Sequence, residues 1–546
     1  MHINSFSQSH AISRSLKAFA ALACASVALS AAAQSGGAYK VTNIISDGSV
    51  PAITIDPNFI DPWGMSTSGN WWISTNVTGY NYVVPSTGVI AFKVIVPAAS
   101  GLTTATGQPT GSVTTGGATG MILPNATKAS FLFSTLDGTI SGWNNKLGTA
   151  NAISQMVVNN SATNAVYTGL ALVNNSLGSY VLAPNFGAGK TIEVYDNTFK
   201  PAKLTGSFTD PNLPTNYAPY AIHVINNLIY VTYTVRSTTT YQETLAPGNG
   251  IVNVFDNVGN FVSRIATGGN LNAPWGVAIA PANFGIFSND ILIGNFGDGI
   301  INVYDPKTFA FLGQVLDATG KPLAYASLWE LLPGGTTVTG STGVSSGDPS
   351  TVYFSAGLTN EAHGLVAGIA NDSTTAGTPA FGIFSSNPNT TVTAGSSTQV
   401  SLAVAPTYKF AGTVTLACTG LSAGVTCTFA PSTLTVSPTA PATGTVTIQT
   451  SKYTASLQPQ HLRGTIAAGI TSALLLPFTS LLALRRRRQS IRLLGFVFAL
   501  IAATGILTGC ATYTPQVSTP IGNSQVIVTA TGNGLTQQTT INLTVK

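Results

Sequence analysis

Ala273-Pro274-Trp275-Gly276-Val277-Ala278, followed by Asp290-Ile291-Leu292-Ile293-Gly294-Asn295-Phe296-Gly297-Asp298-Gly299-Ile300-Ile301-Asn302-Val303-Tyr304-Asp305, has the order of one β-propeller blade. An inner strand opens at Trp275. A second strand, Ile291–Gly294, ends in a glycine-rich turn, a third, Ile300–Tyr304, stops at Asp305, and a fourth, Phe309–Val315, closes the unit. Period-two alternation gives each strand a buried face, and Asp or Asn starts the next turn by bonding its own backbone.

The unit recurs. Further inner strands are expected at Pro62-Trp63-Gly64, Thr119-Gly120-Met121, Thr168-Gly169-Leu170, Pro219-Tyr220-Ala221 and Ser327-Leu328-Trp329-Glu330. Measured between Trp63, Gly120, Gly169, Tyr220, Trp275 and Trp329, the steps are 57, 49, 51, 55 and 54 residues. A period near fifty with four short strands per unit predicts a propeller, here of six blades over residues 38–372. Third strands agree at Ile140–Asn144, Ile192–Asp196, Val252–Asp256 and Ile301–Asp305. A ring has to close or leave open sheet edges. Tyr39–Ile45, which precedes the first inner strand, is therefore expected to form the outer strand of the last blade.

Composition fits an all-β protein of several domains: 546 residues, 7% charged and 44% hydrophobic. Residues 1–372 hold all 17 acidic and 13 of the 22 basic side chains, a balance of −4, whereas residues 373–546 hold nine basic and no acidic ones. Five of those nine lie in Arg485–Arg492. No basic patch interleaved with aromatics is present, so nucleic acid is excluded as the expected partner.

Residues 1–33 read as a secretory signal peptide: Arg14 and Lys17, an apolar run Ala18–Leu29 containing Cys24, and Ala31-Ala32-Ala33 before Gln34. After a polar linker expected over 373–389, short Thr/Val strands at Gln399–Ala405, Thr413–Cys418, Val425–Phe429, Thr433–Val436 and Gly444–Gln449 predict an immunoglobulin-like β-sandwich over 390–453. Cys418 and Cys427 are expected to form a disulfide, since no further His or Cys lies nearby for a metal. The sandwich pattern resumes in residues 513–546, at Ser524–Thr529 and Thr539–Val545. Between the two parts lie two apolar runs, Gly464–Leu484 and Leu493–Gly509, joined by the Arg485–Arg492 loop. Residues 464–509 thus read as a transmembrane helical hairpin with a cytoplasmic arginine loop and both flanks outside. Leu507-Thr508-Gly509-Cys510 resembles a lipobox and makes Cys510 a candidate for lipidation. The expected location is the cell envelope, exported, with the propeller outside the cytoplasm.

The propeller region resembles a family of secreted bacterial propeller proteins of unknown function, NHL-like in shape and followed by a bacterial immunoglobulin-like domain. The resemblance spans about residues 40–370. It rests on Asp61-Pro62-Trp63-Gly64, Asp137–Asn144, Gly206–Pro214, Pro247–Gly250, Ala280–Gly285 and Asn360–Leu365. It implies the fold and brings no assigned reaction.

Chemistry in a propeller gathers around the channel, where the loops into each inner strand and those between second and third strands share one face. Asp61, Trp63, Asn76, Asn185, His223, Trp275, Asn295, Asp298, Trp329 and Glu330 are expected there. Such a mixture could hold a surface carbohydrate, a protein ligand or Ca²⁺ on oxygen ligands. The recurring tryptophans and asparagines fit packing and turns better than ligand contact. Glu330 departs from the glycines at equivalent positions (Gly64, Gly276), which makes it a candidate acid/base or, with Asn295, a candidate metal ligand. Glu361 and His363, two residues apart on a strand, would face one side as a candidate catalytic or metal pair. No nucleophile elbow, zincin, phosphate-loop or dinucleotide motif occurs, and no cofactor is expected. The leading expectation is a membrane-anchored binding or scaffolding module. The alternatives are a metal-dependent lactonase or hydrolase and a purely structural envelope protein.

Overall fold

The structure, a computed structural model, describes residues 38–100, 106–335, 346–372, 377–452 and 518–546. Among the described residues of the propeller six sheets, antiparallel apart from a short parallel pair in each of two, follow one another along the chain, and each inner strand packs on the next, the sixth returning to the first. The first blade is built from Pro62–Ser68, Asn70–Thr75, Tyr80–Val84 and Phe92–Ile95. The second uses Pro109–Thr114, Phe131–Thr135, Thr139–Trp143 and Gln155–Asn159. The third has three strands, Ala171–Asn175, Gly178–Asn185 and Thr191–Tyr195. The fourth comprises Tyr217–Ile225, Leu228–Val235, Ile251–Phe255 and Phe261–Thr267, and the fifth Pro274–Ile279, Ile291–Asn295, Ile301–Tyr304 and Phe311–Gln314. The sixth takes Leu328–Pro333, Thr351–Ala356 and Leu365–Asn371 from one end of the propeller and Tyr39–Ser46 from the other.

That last pairing runs antiparallel from Tyr39 opposite Asn371 to Ser46 opposite Leu365, so the N-terminal strand closes the ring as its alternation implied. The Tyr39 hydroxyl donates to the carbonyl of Phe284 in the fifth blade at 2.8 Å. The cores lie between blades. One joins Leu292 and Val303 of the fifth to Val352, Phe354 and Ile369 of the sixth.

The start expected at Thr119-Gly120-Met121 is corrected. The second inner strand lies ten residues earlier, at Pro109–Thr114, and Met121 sits in a loop with φ of 56°, its N–H bonded to Asn197.

The described residues 380–452 and 518–546 form a two-sheet β-sandwich. One sheet orders Ala380–Ser385, Ser397–Thr407, Ala442–Thr450 and Val425–Ala430. The other orders Asn389–Val392, Leu535–Val545, Gly522–Gly532, Gly412–Thr419 and Thr433–Val436. The linker expected over 373–389 is therefore shorter, because Ala380–Ser385 is an edge strand paired with Ser397–Thr407. The late strands complete the sandwich, with Gly522–Gly532 antiparallel to Gly412–Thr419 and Leu535–Val545 parallel to Asn389–Val392. The Cys418–Cys427 disulfide joins strands of opposite sheets. The sandwich docks on the outer edge of the fifth blade. Phe384, Ala403 and Ala405 enter propeller cores, and Asn270 donates to the Ser385 carbonyl at 2.7 Å.

The chain leaves the sandwich and comes back at one point. The Ser451 N–H donates to Thr519 Oγ1 at 2.9 Å, and the Thr519 N–H returns a bond to the Ser451 carbonyl at 2.9 Å. The expected signal (1–33), hairpin (464–509) and Cys510 lie outside the described residues. Among the described residues no helix is long and apolar enough to cross a membrane, so the structure lends the hairpin no support.

Candidate ligand face at the propeller mouth

The site is organised by a bulge. In five blades the register between first and second strands shifts where the inner strand begins: Pro62/Met65, Pro109/Ser112, Pro219/Ala221, Pro274/Val277 and Leu328/Leu331. The bulged residues in four of these are Trp63-Gly64, Thr110-Gly111, Trp275-Gly276 and Trp329-Glu330. A bulge re-aims its side chains, and here it aims them at the axis. The second position abuts the next blade. A Cβ on Gly64 would lie 2.6 Å from the Thr110 carbonyl oxygen, one on Gly111 2.3 Å from the Leu170 nitrogen, and one on Gly276 2.5 Å from the Trp329 carbonyl oxygen. Glycine is thus required by close approach.

The first position supplies a plug. Trp63, Tyr220, Trp275 and Trp329 pack with Phe186 and Phe296 from the loops between second and third strands. Trp329 stacks on Trp63 at 3.5 Å and on Phe296 at 4.2 Å. Trp275 meets Trp329 edge-on and donates its indole N–H to the Thr168 carbonyl at 3.0 Å. These tryptophans are at most 5% exposed, so their rings belong to the plug.

Asp61 anchors it. The residue is buried, with φ of 50°; Oδ2 accepts the Trp63 indole N–H at 2.7 Å and Oδ1 that of Trp329 at 3.0 Å. One carboxyl thereby ties the first blade to the sixth. Burial, reinforced by the nearby Glu361 charge, holds its pKa well above the usual carboxylate range despite the two indole bonds.

Glu330 takes the glycine position at the sixth-to-first junction. Its Oε2 accepts the Met65 N–H at 3.4 Å, its Oε1 accepts the Leu331 N–H at 3.1 Å, and its own N–H donates to Ser355 Oγ at 3.0 Å. Oε1 also lies 3.4 Å from Nδ1 of His223 in the fourth blade, whose Nε2 is 2.9 Å from the Trp275 carbonyl oxygen. Burial pushes the Glu330 acid up to about 8 and the His223 imidazolium down to about 4. The distance would allow an ion pair, but a contact this long does not repay the desolvation of two buried charges. We assign the pair as neutral: Nε2–H donates to Trp275, and the Glu330 hydroxyl faces the Nδ1 lone pair.

The asparagines hold turns. Asn295 Oδ1 accepts the Asn272 N–H at 3.1 Å, and its Nδ2 reaches the Asn270 carbonyl at 2.7 Å and Asp298 Oδ1 at 3.0 Å. Asn185 Oδ1 accepts the Val166 and Gly187 N–H groups, and Asn76 donates to the Pro109 carbonyl. Glu330 and Asn295 each bond elsewhere, which corrects their reading as a metal pair. Among the described residues no three His, Cys, Asp or Glu side chains converge closely enough to hold a metal ion, so the Ca²⁺ expectation gains no geometric support.

Glu361 and His363 are also separated. They do not lie on a strand but on the turn Leu358–Glu361 and just after it, where Thr359, Asn360 and Glu361 have φ of 54°, 53° and 67°. His363 Nδ1 pairs with Asp47 Oδ2 at 2.6 Å. Glu361 turns instead toward Asp61: a Cβ on Gly357 would meet Asp61 Oδ1 at 2.2 Å and Glu361 Cα at 3.1 Å. Burial and the charge of Glu243 raise the Glu361 pKa to about 7.

Glu243 was not anticipated from sequence. It lies on the long loop between Leu228–Val235 and Ile251–Phe255 of the fourth blade, bridged to Arg236. Burial raises its pKa too. Arg236 occupies the place of Phe186 and Phe296 in the repeat. Its guanidinium donates to the Phe186 and Gly187 carbonyls and lies 4.8 Å from the Tyr241 ring. The available signal was the repeat itself, broken at Arg236 and followed by an unusually long loop. Asp61, Glu243 and Glu361 thus reach the mouth from the first, fourth and sixth blades. Two surface cavities, of about 390 Å³ beside Asn389, Gln525 and Asn542 and about 540 Å³ beside Val41, Pro51 and Tyr325, lie elsewhere.

No family model matches the chain. It is 30% identical to uncharacterized protein L690 of Acanthamoeba polyphaga mimivirus over 347 residues, covering 61% of this chain and 86% of that protein. The chain belongs to the L690 family. Uncharacterized protein R648 of the same virus is 28% identical over 348 residues, covering 61% of this chain and 80% of R648. These relatives are viral, which overturns the expected membership in a family of secreted bacterial proteins. Among solved structures, the PQQ-bound aldose sugar dehydrogenase of Streptomyces coelicolor aligns at 11% identity with a TM-score of 0.35, covering 61% of this chain and 99% of its own. A glucose dehydrogenase aligns at 10% identity and 0.37, with the same coverage.

Proposed function

We propose that this protein is an exported binding or scaffolding module, held at a membrane, whose ligand face is the propeller mouth. One observation carries the reading. The polar groups inside the channel are spent on the fold: Asp61 on two indoles, Glu330 on two backbone N–H groups and His223 on a carbonyl. A hydrolase would need such groups free to meet a substrate. What faces outward is the rim above the aromatic plug, where Glu243 and Glu361 are half-buried. A rim of this kind suits recognition of a carbohydrate or a protein segment.

Membrane attachment is supported by the apolar runs of residues 464–509 and by the bonded exit and return points Ser451 and Thr519. A segment that leaves and returns side by side can be inserted without disturbing the sandwich, which we read as immunoglobulin-like. The cross-sheet disulfide fits an oxidising compartment.

Two measurements test this. Purified full-length chain should bind a member of a glycan or peptide panel, and Glu361→Gln should weaken that binding with unchanged circular dichroism. Indifference to the substitution would remove the mouth as the ligand face. In sealed membranes, protease added on the propeller side should leave Arg485–Arg492 intact, and cleavage there would overturn the hairpin.

A further inference from the structure

We propose that the turn over residues 357–363 is a pH-operated latch on the seam of the propeller, held shut by the His363–Asp47 pair in mildly acidic medium and released as the medium turns alkaline. The inference concerns how the ring is fastened and does not depend on what the mouth binds.

The seam is where the two ends of the propeller meet. Asp47 follows the closing strand, and His363 precedes its partner Leu365–Asn371. Most of the fastening is main chain, from Tyr39 opposite Asn371 to Ser46 opposite Leu365, with the Asp47 N–H then donating to the Gly364 carbonyl at 3.2 Å. Those bonds do not titrate. The next contact is between side chains, His363 Nδ1 lying 2.6 Å from Asp47 Oδ2. The Asp47 carboxylate is largely buried and accepts the Ser49 N–H at 3.1 Å and hydroxyl at 2.6 Å. Burial opposes its ionisation, yet the bonds from Ser49 and His363 hold its pKa below the usual carboxylate range. Asp47 is therefore a fixed negative charge at neutral pH. The His363 side chain is 41% exposed, within reach of protons from solvent. Histidine changes charge between about pH 5 and about pH 8. A charge-assisted bond is the stronger kind, so the pair weakens once the imidazole is neutral.

What the pair restrains is strained. Thr359, Asn360 and Glu361 have φ of 54°, 53° and 67°, a conformation that successive non-glycine residues keep only where the surroundings hold them. Thr359 and Asn360 are exposed, so the tip of the turn is not clamped by packing. Its holds are at the base: Gly357 N–H to the Ser327 carbonyl at 2.9 Å, Glu361 N–H to the Gly357 carbonyl at 2.8 Å and His363 N–H to the Leu358 carbonyl at 3.0 Å. The turn also touches the plug's anchor, because the His363 carbonyl accepts the Asp61 N–H at 3.3 Å.

Glu361 works in the same direction. Burial and the charge of Glu243 place its acid at about 7, so it gains a negative charge over the range in which histidine loses a positive one. The titratable groups facing it are Asp61 of the first blade and Glu243 and Tyr220 of the fourth, all with pKa values raised by burial. Desolvation and like charge both disfavour an ionised Glu361 in the closed turn. The signs agree. The Asp47 pair is strongest with the imidazole protonated, and the folded environment favours protonated Glu361, so closure is complete in mild acid and is lost as pH rises.

The test is hydrogen exchange of the full-length protein, read by mass spectrometry from about pH 5 to about pH 8 and corrected for the intrinsic rate at each pH. Peptides over residues 357–365 are expected to lose about tenfold in protection across the range, the equivalent of one pKa unit. Peptides over the fifth-blade strands Ile291–Asn295 and Ile301–Tyr304 should lose less. His363→Gln and Asp47→Asn should each lower the turn's protection in acid and make its pH dependence shallower, and the two together should do no more than either alone. Glu361→Gln should remove the slope that remains. A flat wild-type profile overturns the latch. So does an equal loss in the fifth blade, or a slope left unchanged by both His363→Gln and Asp47→Asn. If those variants fail to fold, wild type at about 0.5 M salt decides, since a half-exposed ion pair is screened: a shallower slope over residues 357–365 supports the latch, and an unchanged one overturns it.

Discussion

The fifth and sixth blades begin with the same bulge and put opposite residues in it. In the fifth, Trp275-Gly276 lets the backbone run against the Trp329 carbonyl. In the sixth, Trp329-Glu330 places a carboxyl where the ring closes on the first blade. The tryptophans are interchangeable in role, each a wall of the plug. The neighbours are not, and the contrast shows where a repeat is constrained by geometry and where it has admitted polar chemistry.

Swapping the two positions should break the comparison at its strongest point. Gly276→Glu has no room, since even a Cβ would sit 2.5 Å from one backbone atom and 2.9 Å from another. We expect a loss of about 3 kcal/mol or more, or failure to fold, read by thermal denaturation. Glu330→Gly is the reverse. It leaves the Met65 and Leu331 N–H groups without the carboxyl and opens a cavity, with an expected loss of about 2–4 kcal/mol. Glu330→Gln, a neutral isostere, should cost no more than about 1 kcal/mol, because the wild-type carboxyl is uncharged. A large loss for glutamine would show that the carboxyl is ionised.

A pH series sharpens the point. The Glu330 pKa is raised on folding, so its contribution is complete below about 4.5 and is lost as pH rises through about 8. The His223 pKa is lowered on folding, so its contribution is complete above about 6.5 and is lost as pH falls through about 4. Wild type should lose stability on both sides of the range between 4.5 and 6.5, and Glu330→Gln should flatten the alkaline side alone. An unchanged alkaline slope would reject the neutral assignment. The smallest effect separates the two indoles. Trp329→Phe removes a donor from buried Asp61, and Trp275→Phe removes one from the Thr168 carbonyl. The first should cost about 1 kcal/mol more than the second in chemical denaturation, since the acceptor left behind is a carboxyl.

Much of the architecture was legible because it repeats. The fifty-residue period, the third strands ending in Asp or Asn, and the closing strand Tyr39–Ser46 follow from alternation and from the need to cover an edge. The second blade was misplaced because Pro109-Thr110-Gly111 keeps the glycine and lacks the aromatic, while Thr119-Gly120-Met121 imitates the pattern from a loop. The mouth was legible only in part. Glu330 stood out as a broken glycine position. Glu243 did not, because a loop residue has no periodicity and meets Glu361 only through the ring's closure. Glu361 and His363 were read with strand geometry, and a left-handed turn sends them apart.

The strand Tyr39–Ser46 also sets an order of events. It is the first part of the propeller to be made and the last to find its place, because its partner Leu365–Asn371 lies more than 300 residues downstream. At about 5–20 residues per second, roughly 15–60 s separate the two during synthesis. Through that interval its alternating face has no native neighbour. The completed ring therefore acts as a check on full-length synthesis: a chain stopped before residue 365 leaves both ends of the propeller open, and its unpaired edges mark it for aggregation or removal.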